Sequence, residues 1–459
     1  MQKNSETTTT PSSGPVLRPY QQRAAEQLAG ALEQHGVAVD LSSTGLGKSF
    51  HALAVVQKFG APFAVICRAS ARHKWQLLVG SFGLAANCLA VDSWQKFTSG
   101  RHHQQLVVKQ GSGKAAVFAW RPKDPTIVIF DEVQDAGGQD TLNAKLLAAC
   151  GRSDRVYALG LSATIADSSL KFRALGFLLG WHNWYNFKSW ALKYGCRKSP
   201  FGYDQIMFDP RQSGWVIPQL REMLKPYGVR VTRDAVAQYL PDETIEIELW
   251  DVGSRPTGGP VFEALEALEK KRDEDLERHE DGVPGGIEKL RLWQEAELRK
   301  LPVLAEEIRT AVEGGMHCPV FLNFSASIDT LAGMLHDLGP EVYDGRANKA
   351  ARQVSLDKFQ ANTLKVLILQ VAAGSASIDL HDVLGGAPRM TFIAPTYNAE
   401  SFLQSLGRAV RFGGRTPVIQ RICFADKTAE KRVYAVAQRK ADNIREINAG
   451  EWDAAAKAA

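Results

Sequence analysis

Short apolar runs rich in β-branched and aromatic residues recur along the first half of the chain, and polar or small residues follow each one. Val37–Leu41, Phe63–Cys67, Thr126–Phe130 and Val156–Leu161 read as buried strands. Ala24–Gln34 has the apolar spacing of a helix, and helical spacing separates the later runs. Strands alternating with helices predict an α/β chain with a parallel sheet, whose ligands sit at the carboxyl ends of the strands. A second series begins at Val320, with Val320–Phe324, Val366–Leu369 and Thr391–Ala394.

The pattern between the two series is different. Phe262–Glu280 is dense in Glu, Lys and Arg, Gly282-Val283-Pro284-Gly285-Gly286 breaks it, and Ile287–Glu313 resumes helical spacing. This stretch reads as a solvated helical linker. The pattern therefore predicts a disordered tail over 1–16, a first lobe over 17–245, a helical linker over 246–316, a second lobe over 317–450 and a short tail over 451–459.

Composition narrows the class. A chain of 459 residues suits two or three domains. Its 45% hydrophobic and 23% charged residues fit an ordinary globular protein. The net charge of +5 permits a phosphate-backbone partner without requiring one. Six cysteines without a C-x-x-C pair argue against zinc or disulfide frameworks and suit a reducing, cytoplasmic compartment. No apolar run reaches the ~20 residues of a bilayer span. Met1–Pro15 is polar and threonine-rich, unlike a signal peptide.

Candidate chemistry lies at the strand ends. After Val39-Asp40-Leu41 comes Ser42-Ser43-Thr44-Gly45-Leu46-Gly47-Lys48-Ser49. Gly45 and Gly47 let backbone N–H groups approach phosphate oxygens, and the next helix offers its positive end. Lys48 is expected to reach the β- and γ-phosphates of ATP and the Ser49 hydroxyl to ligate Mg2+. Ser42 replaces the first glycine of G-x-x-x-x-G-K-S/T. A second candidate, Gly111-Ser112-Gly113-Lys114, lacks the strand–helix setting and reads as a hairpin turn between Leu106–Lys109 and Ala116–Trp120.

At the end of Thr126–Phe130, Asp131 is assigned to the metal and Glu132 to orienting and deprotonating the attacking water. Ser162 and Thr164 suit a hydrogen-bonded link between Gln134 and a nucleic-acid groove. Gln404-Ser405-Leu406-Gly407-Arg408-Ala409-Val410-Arg411 is a Q-x-x-G-R-x-x-R segment. On a helix Arg408 and Arg411 share one face and would act as arginine fingers across a cleft.

In this order and spacing the motifs resemble superfamily-two helicases, and in detail their Swi/Snf-type branch. Ser42–Ser49 matches that superfamily's A/S-x-x-G-x-G-K-T/S form. Leu17-Arg18-Pro19-Tyr20-Gln21 resembles the opening motif, in which the glutamine reads adenine, so the resemblance assigns Arg18 and Gln21 to the nucleotide along with Thr44–Ser49. Ala64–Ser70 followed by Lys74-Trp75 resembles motif Ia, with Arg68 where proline is usual. Tyr343-Asp344-Gly345, Arg352 and Phe359 match the stretch after motif IV. Gly374–Leu380 takes the place of motif V but departs from G-G-x-G-L-N-L. Ala166-Asp167-Ser168, Leu175–Gly180, Trp181–Tyr194 and Leu380-His381-Asp382 look like compact helicases of bacteriophages and large DNA viruses.

The resemblance implies two RecA-like lobes, ATP and Mg2+, and a track of nucleic acid, DNA in preference to RNA because the D-E-A-D signature is absent. Duplex, forked or branched DNA is the expected partner, contacted by Arg68, Ser70, Arg72, Ser325 and Ser375. It further implies viral replication, recombination or repair, with the proteins of those processes as partners, a monomer, and the host cytoplasm. An RNA helicase and a non-catalytic binding module of the same fold are the alternatives. Trp181, Trp184, Tyr185 and Trp190 read as packing residues before stacking platforms, and the 106–120 hairpin, with Lys109, Lys114 and Arg121, as a surface loop before a duplex wedge.

Overall fold

The apolar runs do form strands, and they gather into two sheets. The computed structural model describes residues 14–199, 205–250, 286–371, 378–425 and 429–447. In chain order the first lobe holds β1 (Val37–Asp40), β2 (Phe63–Cys67), β3 (Cys88–Ser93), β4 (Val107–Gln110), β5 (Val117–Trp120), β6 (Thr126–Asp131), β7 (Val156–Leu161), β8 (Cys196–Lys198), β9 (Ile206–Phe208) and β10 (Gly228–Val229). Six of these pair in the order β10-β1-β7-β6-β2-β3, all parallel. β1 and β2 are buried at every residue, because helices cover both faces of the sheet. One face packs Leu28, Leu32, Leu53, Val56 and Val65, the other Trp94, Phe97, Trp120 and Phe130.

Register decides where the chemistry lies. Asp40 and Asp131 are each the partner of Leu161, on either side of β7. The ends of β1, β7 and β6 are therefore level, and the loops that leave them emerge side by side.

The hairpin and the aromatic segment of the first lobe both pack inward. β4 and β5 form an antiparallel hairpin that lies against the lobe: Phe118 and Trp120 are buried, and the Trp120 Nε1 donates to the Leu146 carbonyl at 3.2 Å. Trp181, Trp184 and Trp190 pack on the core, whereas Tyr185 is 93% exposed.

The second lobe holds β11 (Glu243–Trp250), β12 (Cys318–Leu322), β13 (Glu341–Tyr343), β14 (Val366–Gln370), β15 (Arg389–Ile393) and β16 (Val418–Ala425). Their order is β11-β16-β15-β12-β14-β13, again parallel throughout. This corrects the expected linker over 246–316. β11 pairs with β16 along its whole length, so a boundary at 245 falls inside a strand of the second sheet. The helices Gly286–Arg299 and Leu301–Glu313 belong to the same lobe, with Leu301, Leu304 and Ile308 packed against Cys318, Val320 and Ile328. High charge content masks that apolar stripe in the sequence. Phe262–Glu280 and the glycine-rich break before Gly286 lie outside the described residues, as do the two tails except for residues 14–16.

The helix Ala429–Ile447 leaves the second lobe and returns to the first. It starts at a buried ion pair, Lys300 Nζ to Glu430 Oε1 at 2.6 Å, with Glu430 also accepting from the Ala425 N–H at 2.9 Å. At its other end Ile447 enters the first lobe's core, Glu446 pairs with Arg221 at 2.6 Å, and Asn443 donates to the Asp167 carbonyl at 3.2 Å. Among the described residues no helix is long and apolar enough to cross a membrane, and no group of three His, Cys, Asp or Glu side chains could hold a metal.

Candidate active site

The loop after β1 turns tightly enough to bind an anion by its backbone. Gly45 and Gly47 have φ of 83° and 89°, a region that L side chains avoid. A Cβ on Gly47 would stand 2.4 Å from the Gln21 Nε2, and one on Gly45 3.0 Å from the Arg411 Cγ. The opening motif thus lies directly on the phosphate loop: the Gln21 Oε1 accepts from the Arg18 N–H at 2.9 Å, and the Tyr20 hydroxyl donates to the Leu46 carbonyl at 3.3 Å. The Arg18 guanidinium lies over Tyr239 and Phe412, 5.5 and 5.3 Å from their ring centres.

Beneath the loop is a buried pair that the sequence motifs do not single out. Asp40 accepts from the Ser42 N–H at 2.9 Å with one oxygen and meets the His51 Nδ1 at 2.7 Å with the other. Burial works to raise its carboxyl, but His51, Lys48 and Ser42 outweigh that and hold it below the ordinary range. Lys48 starts the helix Lys48–Phe59 and donates to the carbonyls of Ser42 and Ser43 at 2.8 and 3.2 Å. Burial lowers its ammonium, against the pull of Asp40, Glu132 and Asp131. Thr44 and Ser49 are half-buried on the same loop.

At the end of β6, Asp131 accepts from the Trp75 Nε1 at 2.8 Å. Burial, reinforced by the neighbouring Glu132 carboxylate, pushes its carboxyl up to about 6. Glu132 has φ 55° and ψ 55°, a left-handed conformation costing on the order of 1 kcal/mol in a non-glycine residue. That turn aims it at the second lobe. It accepts from the Gln404 Nε2 of that lobe at 3.2 Å and from the Gln134 Nε2 of its own.

Gln404 lies on the helix Ala399–Leu406, which Asn398 caps by accepting from the Ser401 N–H at 3.1 Å. The expected continuous helix carrying both arginines is not found. It ends at Leu406; Arg408 follows in a turn that begins at Gly407, and Arg411 lies in irregular backbone beyond it. They converge by another route: Arg408 Nη1 and Arg411 Nη2 donate to the Ile378 carbonyl at 3.4 and 3.1 Å. Burial and the adjacent Arg411 charge lower Arg408 to about 9. Arg411 also pairs with Asp379, which meets Lys74 of the first lobe at 2.6 Å.

Other assigned residues stand elsewhere than expected. Arg68 does not face an open groove. Its Nε and Nη2 donate to Asp135 at 2.8 and 2.7 Å, its Nη2 to Glu400 at 3.1 Å and its Nη1 to Gln404 at 3.3 Å, because carboxylates on both lobes surround it. Gln134 turns toward Glu400, at 3.0 Å, instead of toward Ser162 and Thr164. Those two bond to each other, Thr164 N–H to Ser162 Oγ at 2.9 Å, while the Ser162 N–H donates to the Asp40 carbonyl at 3.0 Å. Ser70 is exposed, Ser325 is half-buried at a helix start, and Arg72 is 3.4 Å from Asp92. Ser375 lies outside the described residues. Glu400 and Arg233 also belong to the site, although no sequence motif marks them. Arg233 donates to Glu243 at 2.7 Å and to the Thr44 Oγ1 at 3.3 Å.

The donor set fits a magnesium nucleotide. A glycine cradle that a Cβ would fill, the half-buried Lys48 ammonium within electrostatic reach of Asp131 and Glu132, and the half-buried Ser49 hydroxyl supply the groups that phosphates and magnesium need.

Residues 299–413 match the helicase conserved C-terminal domain. A putative ATP-dependent RNA helicase of Acanthamoeba polyphaga mimivirus is 26% identical over 98% of this chain and 87% of its own length. The SWI/SNF-related matrix-associated actin-dependent regulator of chromatin subfamily A-like protein 1 of Drosophila melanogaster is 24% identical, over 95% of this chain and 56% of that protein. Its Caenorhabditis elegans homologue is 22% identical, over 94% and 62%. The Sulfolobus solfataricus SWI2/SNF2 ATPase core in complex with dsDNA aligns over 95% of this chain and 97% of that one, at 15% identity and a TM-score of 0.38. The fold is α/β with two lobes, each built on a six-stranded parallel sheet. The chain is similar along nearly all its length to superfamily-two helicases of the Swi/Snf type, and a putative helicase of a mimivirus stands among its relatives.

Proposed function

We propose that this protein is an ATP-driven motor on DNA, coupling hydrolysis to movement along duplex, forked or branched DNA or to its unwinding or remodelling. The observation that carries the reading is the meeting of Lys48, Asp131 and Glu132 of one lobe with Gln404, Arg408 and Arg411 of the other. Lys48 and the backbone of Thr44–Ser49 hold the ATP phosphates, with Gln21 and Arg18 toward the base. Ser49 and Asp131 would hold magnesium, which would neutralise phosphate oxygen charge. Glu132 orients a water in line with the γ-phosphorus and takes its proton, and the two arginines offset the charge that develops on the transferred group. Contacts to DNA, among which Ser70, Arg72, Ser325 and Ser375 are proposed, address phosphates and are salt-sensitive. The same reading extends to a monomer in a viral replication, recombination or repair setting in the host cytoplasm.

RNA is the second track to consider, since the mimivirus relative is named an RNA helicase. The deciding experiment compares ATPase stimulation by duplex DNA, single-stranded DNA, RNA of equal length, forks and junctions. Stimulation by duplex or branched DNA above RNA supports the proposal, and stimulation by RNA alone overturns it. Glu132→Gln is expected to bind ATP and abolish turnover; retained hydrolysis would rule Glu132 out as the base.

A further inference from the structure

The carboxylate of Glu132 is not oriented by its own lobe alone. Two side-chain amides bridge it to a second carboxylate, Glu400, on the opposite lobe. The Gln134 Nε2 donates to Glu132 and to Glu400 at 3.0 Å, and the Gln404 Nε2 donates to Glu132 at 3.2 Å and to Glu400 at 3.4 Å. Arg68 fixes which way round Gln404 is held. Its Nη1 donates to the Gln404 Oε1 at 3.3 Å, so the amide nitrogen is left facing the two carboxylates. The same guanidinium neutralises Glu400 at 3.1 Å and is itself clamped by both Asp135 oxygens. Without that cation two carboxylates sharing one half-buried site would repel each other. Burial pushes the Glu400 carboxyl up, and Gln134 and Arg68 work against that shift.

We propose that Arg68 and Glu400 are positioning residues that make the orientation of Glu132 conditional on closure of the two lobes. Glu400 arrives with the second lobe, anchors both amides, and thereby fixes the base. When the lobes part, Gln404 and Glu400 leave together and Glu132 keeps only the Gln134 contact. Arg68, at a position that invites a phosphate contact, acts within the protein instead. This inference rests on the reading of Glu132 as the base for ATP hydrolysis.

The test is steady-state ATPase kinetics of the full chain for wild type, R68A, R68K, E400Q and the double variant R68A/E400Q, each checked for folding by thermal melting. Expected is a fall in kcat of roughly 10- to 100-fold at saturating DNA for R68A and E400Q. KM for ATP and the half-saturating DNA concentration stay unchanged, R68K is intermediate, and the double variant is no slower than its slower parent. Multiplicative losses in the double variant would overturn the proposal. So would an R68A or R68K enzyme with full kcat at saturating DNA but a raised half-saturating concentration and a shallower salt dependence, the signature of a phosphate contact. The wild-type protein separates the two levels. No nucleic-acid-stimulated hydrolysis in wild type removes the proposed function, whereas a wild-type rate that these variants retain removes only the positioning role.

Discussion

Gly407 of the second lobe lies against Thr44 of the phosphate loop so closely that a Cβ there would stand 2.1 Å from the threonine Oγ1. Its φ of −84° is ordinary, so the need for glycine is one of contact between lobes and not of backbone conformation. Gly407→Ala is therefore expected to wedge the lobes apart and lower kcat about 100-fold with little change in melting temperature. Adding Thr44→Gly should restore a large part of the rate, since it removes the colliding atoms. An active single variant would show that this approach is not needed for turnover.

The Asp40–His51 pair is fully buried, and removing one partner strands a charge. His51→Leu is expected to cost roughly 3–5 kcal/mol in urea unfolding. The Asp40 carboxyl is held below its ordinary range. Its contribution is therefore present above the unfolded value near 4 and lost as pH falls through the lower folded value. The cost of His51→Leu should shrink accordingly in strongly acidic buffer, and a cost that does not change with pH would contradict this account.

Asp131 shows the opposite sign. With its folded value raised to about 6, it favours folding only while protonated, and that favour is lost as pH climbs from about 4 through 6. In chelator, without nucleotide, Asp131→Asn is expected to be more stable than wild type at pH 8 by on the order of 1 kcal/mol, and equal to it near pH 3.5. At limiting magnesium, turnover of the wild type should decline as pH falls, because a proton on Asp131 competes with the metal, and saturating magnesium should restore it. Calorimetry and a pH–rate profile check the two halves separately.

Lys300 and Glu430 are buried together, so they predict a third pattern. Lys300→Met should destabilise the second lobe by roughly 3–5 kcal/mol, and Lys300→Met with Glu430→Leu should recover most of it, because two apolar side chains leave no unpaired charge. Chemical denaturation of the full chain reads both values. A double variant as unstable as the single one would contradict the pairing.

Legibility in the sequence follows the range of the signal. Fully buried parallel strands such as Phe63–Cys67 and Val366–Leu369 are apolar at every position, so they are visible without knowing their neighbours. The phosphate loop is visible too, because the bonds of Gly47 and Lys48 are made within a few residues. The helix Leu301–Glu313 reads as solvated because its charges obscure the apolar stripe, and β11 escapes notice because its alternating Glu and Ile pattern gains its meaning only beside β16. Arg68 and Glu400 are 332 positions apart, and nothing local to either announces the other. The break after Leu406 is written at Gly407, but the spacing of the two arginines alone suggests a helix continuing through it.

The returning helix Ala429–Ile447 has a mechanical consequence. The polypeptide crosses from the first lobe to the second near Leu240, and among the described residues the last helix is pinned back on the first lobe at Ile447, a second attachment apart from the contacts of the site. On the proposed reading as a motor, two attachments favour a swing about the line through them, like a door on a pair of hinges, with the amides of Gln134 and Gln404 where the latch would be.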